Sequence, residues 1–224
     1  MSNLTEKLFY RCHLPHWHPE RATYFITFRL VGSLPHSVLE AWRKDSVRNH
    51  PTKRLQLEHR RKWFRKFESV MHAGGSGPMW LANPEVADMV AESLHYRDEK
   101  VFTLDCFCIM PNHVHMVITP LKKGSPTGHA TSTLQQTTIP GIMHSLKSYT
   151  GLQANKILDR SGPFWEMESF DHWLRTPEHW RHAVRYILEN PVHAKLVAKP
   201  EDYPWNYCRD GYAWLFGDRN EKGG

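Results

Sequence analysis

The chain has 224 residues, 40% of them hydrophobic and 23% charged, with a formal net charge of +6. That composition belongs to an ordinary globular protein, long enough for one domain with a core plus short arms. No apolar run approaches the roughly 20 residues of a membrane span, and residues 1–20 lack the apolar stretch of a secretory signal, so membrane, collagen-like and wholly disordered classes are excluded.

Residues 1–20 read as an arm rich in aromatics, His and Pro. Tyr24-Phe25-Ile26-Thr27-Phe28-Arg29-Leu30 reads as a strand, being β-branched and aromatic with short alternation. After Gly32 the pattern predicts a helix from about Ser37, carrying Leu39 and Trp42 and ended by Pro51. A second helix then runs to about His72. From Arg43 to Lys66, ten Lys and Arg stand against only Asp45 and Glu58, a local charge of +8 that exceeds the whole chain's +6. Such a concentration favours a polyanionic partner such as nucleic acid. Residues 73–78 are a loop. Asn83 followed by Pro84 is a helix start, with Asn as N-cap and Pro at the first helical position. Val86, Met89, Val90 and Leu94 then form an apolar stripe at helical spacing.

Residues 101–109 predict a buried strand. Met110-Pro111-Asn112 interrupts it, and residues 113–119 continue extended. Residues 121–140, rich in Gly, Ser, Thr, Pro and Gln, read as a flexible connector. A helix is expected over about 142–158, a short run follows to Arg175, and Thr176-Pro177 opens a last strong helix that ends at Asn190, before Pro191. Four cysteines, Cys12, Cys106, Cys108 and Cys208, make no CxxC pair. Neither a zinc ribbon nor a disulfide framework is signalled, and reduced cysteines in a cytosolic protein are the simplest reading. Strands in two clusters, each followed by helices, predict an α+β fold: an antiparallel sheet with helices on one face.

Two groups of residues carry chemistry. In an extended strand, residues i and i+2 share a face. His113 and His115 therefore point the same way, while Val114 points into the opposite layer with Met116 and Ile118. Two imidazoles on one rigid strand can chelate a divalent ion; the plainer reading is two surface histidines, and spacing alone serves either. On the helix 177–190, Trp180, Ala183, Val184, Ile187 and Leu188 fill one arc, and Glu178, Arg181, Arg185 and Glu189 the opposite one. Tyr186 and Asn190, four residues apart, lie together at the edge of the apolar stripe. A phenol, with pKa near 10, attacks a phosphodiester only if something accepts its proton and something neutralises the phosphate. A metal on the two histidines meets the second need. His182, or a water on the metal, meets the first, and the Asn190 carbonyl oxygen offers a third ligand. A Tyr at such a boundary otherwise serves packing.

Met110-Pro111-Asn112-His113-Val114-His115 resembles the His-hydrophobe-His (HUH) motif of single-tyrosine HUH transposases. Arg185-Tyr186-Ile187-Leu188-Glu189-Asn190-Pro191-Val192 resembles the Tyr-bearing helix of their REP-associated tyrosine transposase branch. Gly162-Pro163-Phe164-Trp165, Ser169-Phe170-Asp171 and Asp202-Tyr203-Pro204-Trp205 also resemble segments of that branch, so the similarity covers about residues 22–206. The resemblance implies a ferredoxin-like, RRM-like sheet with HUH on a central strand and the Tyr on a helix facing it. It implies a domain over 21–206, with a basic helical insertion at about 43–72 and a connector at about 121–140, between the arm and a tail at 207–224. It further implies a single-stranded DNA endonuclease and strand transferase: His113 and His115 as metal ligands, Tyr186 as nucleophile, Asn190 completing the site, and Mn²⁺ or Mg²⁺ as the ion. Some relatives carry Gln four residues after the Tyr; Asn190 is shorter, and the alternative is that it caps the helix end.

The implied substrate is a DNA hairpin with a flanking single strand, bound by a bacterial, cytoplasmic, nucleoid-associated protein that works as a monomer or homodimer away from membranes. Lys53, Arg54, Arg60, Arg61, Lys62, Arg65 and Lys66 are the candidate phosphate contacts; Trp63, Phe64 and Phe67 either stack on bases or face the core. The competing reading is a non-catalytic single-stranded nucleic-acid-binding protein on an RRM-like sheet. A zinc hydrolase ranks last, because no HExxH pattern is present.

Overall fold

Every second residue of the run from Thr23 to Arg29 is apolar and bulky, and in the computed structural model that run is a strand, as the pattern predicts. The structure describes residues 22–35, 77–121 and 138–211, the short strands at 9–11 and 15–17, and single helical positions between 37 and 70. The elements in chain order are β1 (Phe9–Arg11), β2 (Pro15–Trp17), β3 (Thr23–Arg29), α1 (Pro84–Arg97), β4 (Phe102–Met110), β5 (His113–Pro120), α2 (Ile139–Ile157), β6 (Phe170–Leu174), α3 (Pro177–His193) and β7 (Asn206–Cys208). The expected N-terminal arm thus contains a two-stranded antiparallel pair, β1 with β2.

The main sheet has five strands in the order β6-β3-β5-β4-β7, each pair antiparallel. Strand β5 lies between β3 and β4, and the path β3-α1-β4-β5-α2-β6 is the split βαβ arrangement of ferredoxin-like sheets. Pro111 and Asn112 form the turn between β4 and β5. The α+β sheet is therefore the one expected.

The pleat sorts the side chains into two cores. Ile26, Phe28, Met116 and Ile118 pack on one face with Val90 and Leu94 of α1 and Ile142 and Leu146 of α2. Phe25, Cys108 and Val117 pack on the other face with Val184, Ile187 and Leu188 of α3. Two helices share one face as expected; the third, expected with them, lies across the opposite face, because its apolar stripe of Val184, Ile187 and Leu188 packs on Phe25 and Val117. A register shift between Leu104 and Cys106 changes which side of β4 faces which core. Leu104 joins the first and Cys106 the second, although residues two apart in a regular strand share a side. Asp105, the extra residue, accepts a 2.6 Å hydrogen bond from Trp180 Nε1 and so ties α3 to the sheet.

The helix starts follow their caps. Asn83 Oδ1 accepts from Glu85 N at 3.0 Å, and Thr176 Oγ1 accepts from His179 N at 3.2 Å. Helix α2 begins at Ile139, inside the stretch read as connector, because Thr138 caps it and Pro140 fits the first turn, where no N–H partner is needed. Helix α3 does not stop at Asn190: it runs through Pro191 to His193, with Ala194 N still bonded to Asn190 O at 2.9 Å. Pro191 removes one N–H near the end of the helix, where little of the ladder remains to lose. Strand β7 crosses the expected boundary between domain and tail at 206/207 and pairs with the β4 edge.

Candidate active site

His113 and His115 are both fully buried and face α3. Their Nε2 atoms lie 2.9 Å apart, with ring centroids 4.5 Å apart and planes at 77°. His113 Nδ1 is 2.6 Å from Asn112 Oδ1. A carbonyl oxygen only accepts, so this nitrogen carries the proton, and Nε2 of the neutral ring is a bare acceptor. His115 Nδ1 is 2.7 Å from Thr27 Oγ1. A hydroxyl can donate or accept. With Thr27 donating, His115 Nε2 holds a proton and shares it with His113. With Thr27 accepting, both Nε2 lone pairs converge on one point, an arrangement that needs a cation.

These donors fit a metal ion. Ligands at about 2.1 Å from one ion and at right angles are about 3.0 Å apart, and Asn112 and Thr27 hold the outer nitrogens as hydrogen-bond partners hold metal-binding imidazoles. Among the described residues, no group of three or more His, Cys, Asp and Glu gathers to hold an ion. Asn190, fully buried on α3, carries an amide oxygen. Because α3 continues past it, Asn190 sits within the helix and does not end it.

Tyr186 is on the same side of the sheet as the imidazoles. Its ring lies 5.7 Å from His115 (centroid to centroid, planes at 68°) and 6.1 Å from Phe25. Phe25 stacks on His115 at 5.6 Å. The sequence could not show that strand and helix meet; the packing of Val184, Ile187 and Leu188 onto Phe25 and Val117 brings them together. Tyr186 is half-buried. His182, one turn earlier on α3, is exposed.

Three residues escaped the sequence reading. Thr27 and Asn112 orient the imidazoles, and Arg29 stands opposite His113 in the β3–β5 register, on the same face. Arg29 is 7% exposed, and it pairs with Glu166 at 3.1 Å and donates to Ser33 Oγ at 3.3 Å. Burial lowers its pKa, and the Glu166 charge opposes that shift. The available signal was the alternation in β3, which puts Phe25, Thr27 and Arg29 on one side.

Lys62 and Lys66 are helical and exposed, one turn apart. Lys53, Arg54, Arg60, Arg61 and Arg65 lie outside the described residues, as do Trp63, Phe64 and Phe67. No helix among the described residues is long and apolar enough to cross a membrane.

No family model matches the chain, and no curated protein matches it. Among solved structures, the chain is similar to a REP-associated tyrosine transposase bound to a REP hairpin. The identity is 15%, the match covers 92% of this chain and 82% of that chain, and the TM-score is 0.47.

Proposed function

We propose that this protein is a metal-dependent single-stranded DNA endonuclease and strand transferase, a transposase acting on hairpin-forming repeats through a 5′-phosphotyrosine link. The observation that carries the reading is the placement of the Tyr186 ring 5.7 Å from His115, itself turned toward His113. A phenol and a paired-imidazole cation site are the two parts that tyrosine attack on a phosphodiester requires.

His113 and His115 would hold a divalent ion, Mn²⁺ or Mg²⁺, with the Asn190 amide oxygen as third donor; when bound, the ion neutralises phosphate oxygens as a Lewis acid. The Tyr186 oxygen attacks phosphorus, and the bond from phosphorus to the 3′ oxygen breaks. The phenol proton passes to an acceptor, for which His182 is the candidate on the same helix, and the departing oxygen takes up a proton from water and leaves as a 3′-hydroxyl. In reverse, a 3′-hydroxyl attacks the phosphotyrosine and restores the strand, so the bond energy is kept. The exposed Lys62 and Lys66, within the basic run, suit the phosphates of the hairpin. An open-sheet RRM-like binder is disfavoured, because α3 covers the face such a binder exposes.

The test is cleavage of a labelled single-stranded hairpin with Mn²⁺, Mg²⁺ or chelator. The expected result is metal-dependent cleavage by the native protein and none by His113→Ala or His115→Ala, with hairpin binding retained. Undiminished cleavage in chelator would overturn the proposal.

A further inference from the structure

Cys106 and Cys208 stand directly opposite one another on β4 and β7. In this ladder Arg209 N donates to Asp105 O at 2.9 Å, and Ile109 N donates to Trp205 O at 3.0 Å. The hydrogen-bonded positions are therefore Asp105 with Arg209 and Ile109 with Trp205. The two cysteines fall on the alternate, non-hydrogen-bonded position. There the Cα atoms of an antiparallel pair are about 4.5 Å apart and the side chains come closest. A disulfide spans Cα separations of about 4.4–6.8 Å, so the spacing usual for this kind of pair is one that a bridge accepts. Both residues are thiols in the structure. Cys108, two residues along the same face, stands opposite Asn206 and has no cysteine across from it.

We propose that Cys106 and Cys208 are a modification site: a thiol pair that a low-molecular-weight disulfide, such as oxidised glutathione, converts into a cross-strand disulfide. Attack begins at Cys208, which is half-buried, whereas Cys106 is fully buried. Burial also pushes the Cys106 thiol well up, which makes it the poorer nucleophile and leaves the first attack to Cys208. The Cys208 thiolate displaces one sulfur of the reagent, forming a mixed disulfide and releasing one thiol. Cys106 then attacks the Cys208 sulfur, loses its proton and expels the second thiol. Two protein thiols are oxidised and one reagent disulfide is reduced to two thiols.

The bridge fixes an edge strand. Among the described residues, strand β7 pairs with β4 alone, and its Asn206 Nδ2 donates to Leu188 O of α3 at 2.9 Å. A staple at Cys208 thus secures the segment that grips the helix carrying Tyr186. The proposal is independent of the DNA chemistry.

The full chain is incubated with oxidised glutathione, alkylated, and analysed by intact mass and peptide mapping. After denaturation and alkylation, the expected result is two alkyl groups fewer than on the reduced, alkylated protein with its four cysteines, a further loss of about 2 Da for the two hydrogens removed, and a peptide linking Cys106 to Cys208 that dithiothreitol separates. Cys208→Ser should give no such loss. Retention of all four thiols, a mixed disulfide that persists, or a bridge to Cys12 or Cys108 would each overturn the proposal. The native-protein map decides the matter even if the variant folds poorly.

Discussion

Thr27 Oγ1 lies 2.7 Å from His115 Nδ1, on the neighbouring strand of the sheet. Asn112 Oδ1 stands in the same relation to His113, at 2.6 Å. Each contact sets which way an imidazole faces and which nitrogen is left for a cation. Loss of such a partner typically weakens metal binding about 10–100-fold. Thr27→Val and Asn112→Ala should each reduce Mn²⁺ affinity within that range, measured by calorimetric titration, while Thr27→Ser stays near the native value. Equal affinity across all four proteins would remove the orienting role.

The imidazole pair was legible because the alternation of a strand is local geometry: residues 113 and 115 must share a face once the segment is extended. Its partners were not. Thr27 and His115 are 88 residues apart, and their contact depends on the register between β3 and β5, which no local pattern specifies. The apolar stripe of α3 was equally plain, yet a stripe says only that a face is buried, not which side of the sheet buries it. The β4 irregularity at Asp105 was hidden for a related reason. The run from Val101 to Ile109 is apolar enough to suit two cores, and only tertiary packing divides Leu104 from Cys106. The start of α2 was misplaced because Thr138 and Pro140 are loop-forming residues that also begin helices.

Tyr203 anchors the segment after α3. Its hydroxyl donates to Ile109 O of β4 at 2.9 Å, and the residue is 7% exposed. Burial raises its pKa, so the phenol stays neutral and remains a donor at ordinary pH. Tyr203→Phe removes the donor and leaves a buried carbonyl short of a partner. The expected cost is about 1–2 kcal/mol, read from urea unfolding. Unchanged stability would show that the carbonyl finds another donor.

Lys147 ties α2 to the loop before β6: its Nζ donates to the carbonyls of Glu166, Met167 and Glu168 at 3.0, 3.2 and 3.2 Å. Burial, aided by the nearby Arg29 charge, lowers its pKa to about 7, against attraction from Glu166 and Glu168. The unfolded chain has the ordinary Lys value near 10.4. Between the two values the unfolded state binds more protons, so this group makes stability rise with pH from about 7 to about 10. The slope approaches 1.4 kcal/mol per pH unit at most. Lys147→Met lacks this titration. The difference in unfolding free energy, native minus variant, should therefore increase between pH 7 and pH 9; a flat difference would place the Lys147 pKa at its ordinary value and a falling one above it, and either contradicts the shift.

The most direct measurement is the site of covalent attachment. The native protein is incubated with a single-stranded hairpin and Mn²⁺, denatured, digested with nuclease and protease, and sequenced by tandem mass spectrometry. The account requires a nucleotide joined through its 5′ phosphate to Tyr186, a matching free 3′-hydroxyl on the released strand, and no adduct in Tyr186→Phe. An adduct on another residue, or one that survives in Tyr186→Phe, would contradict it.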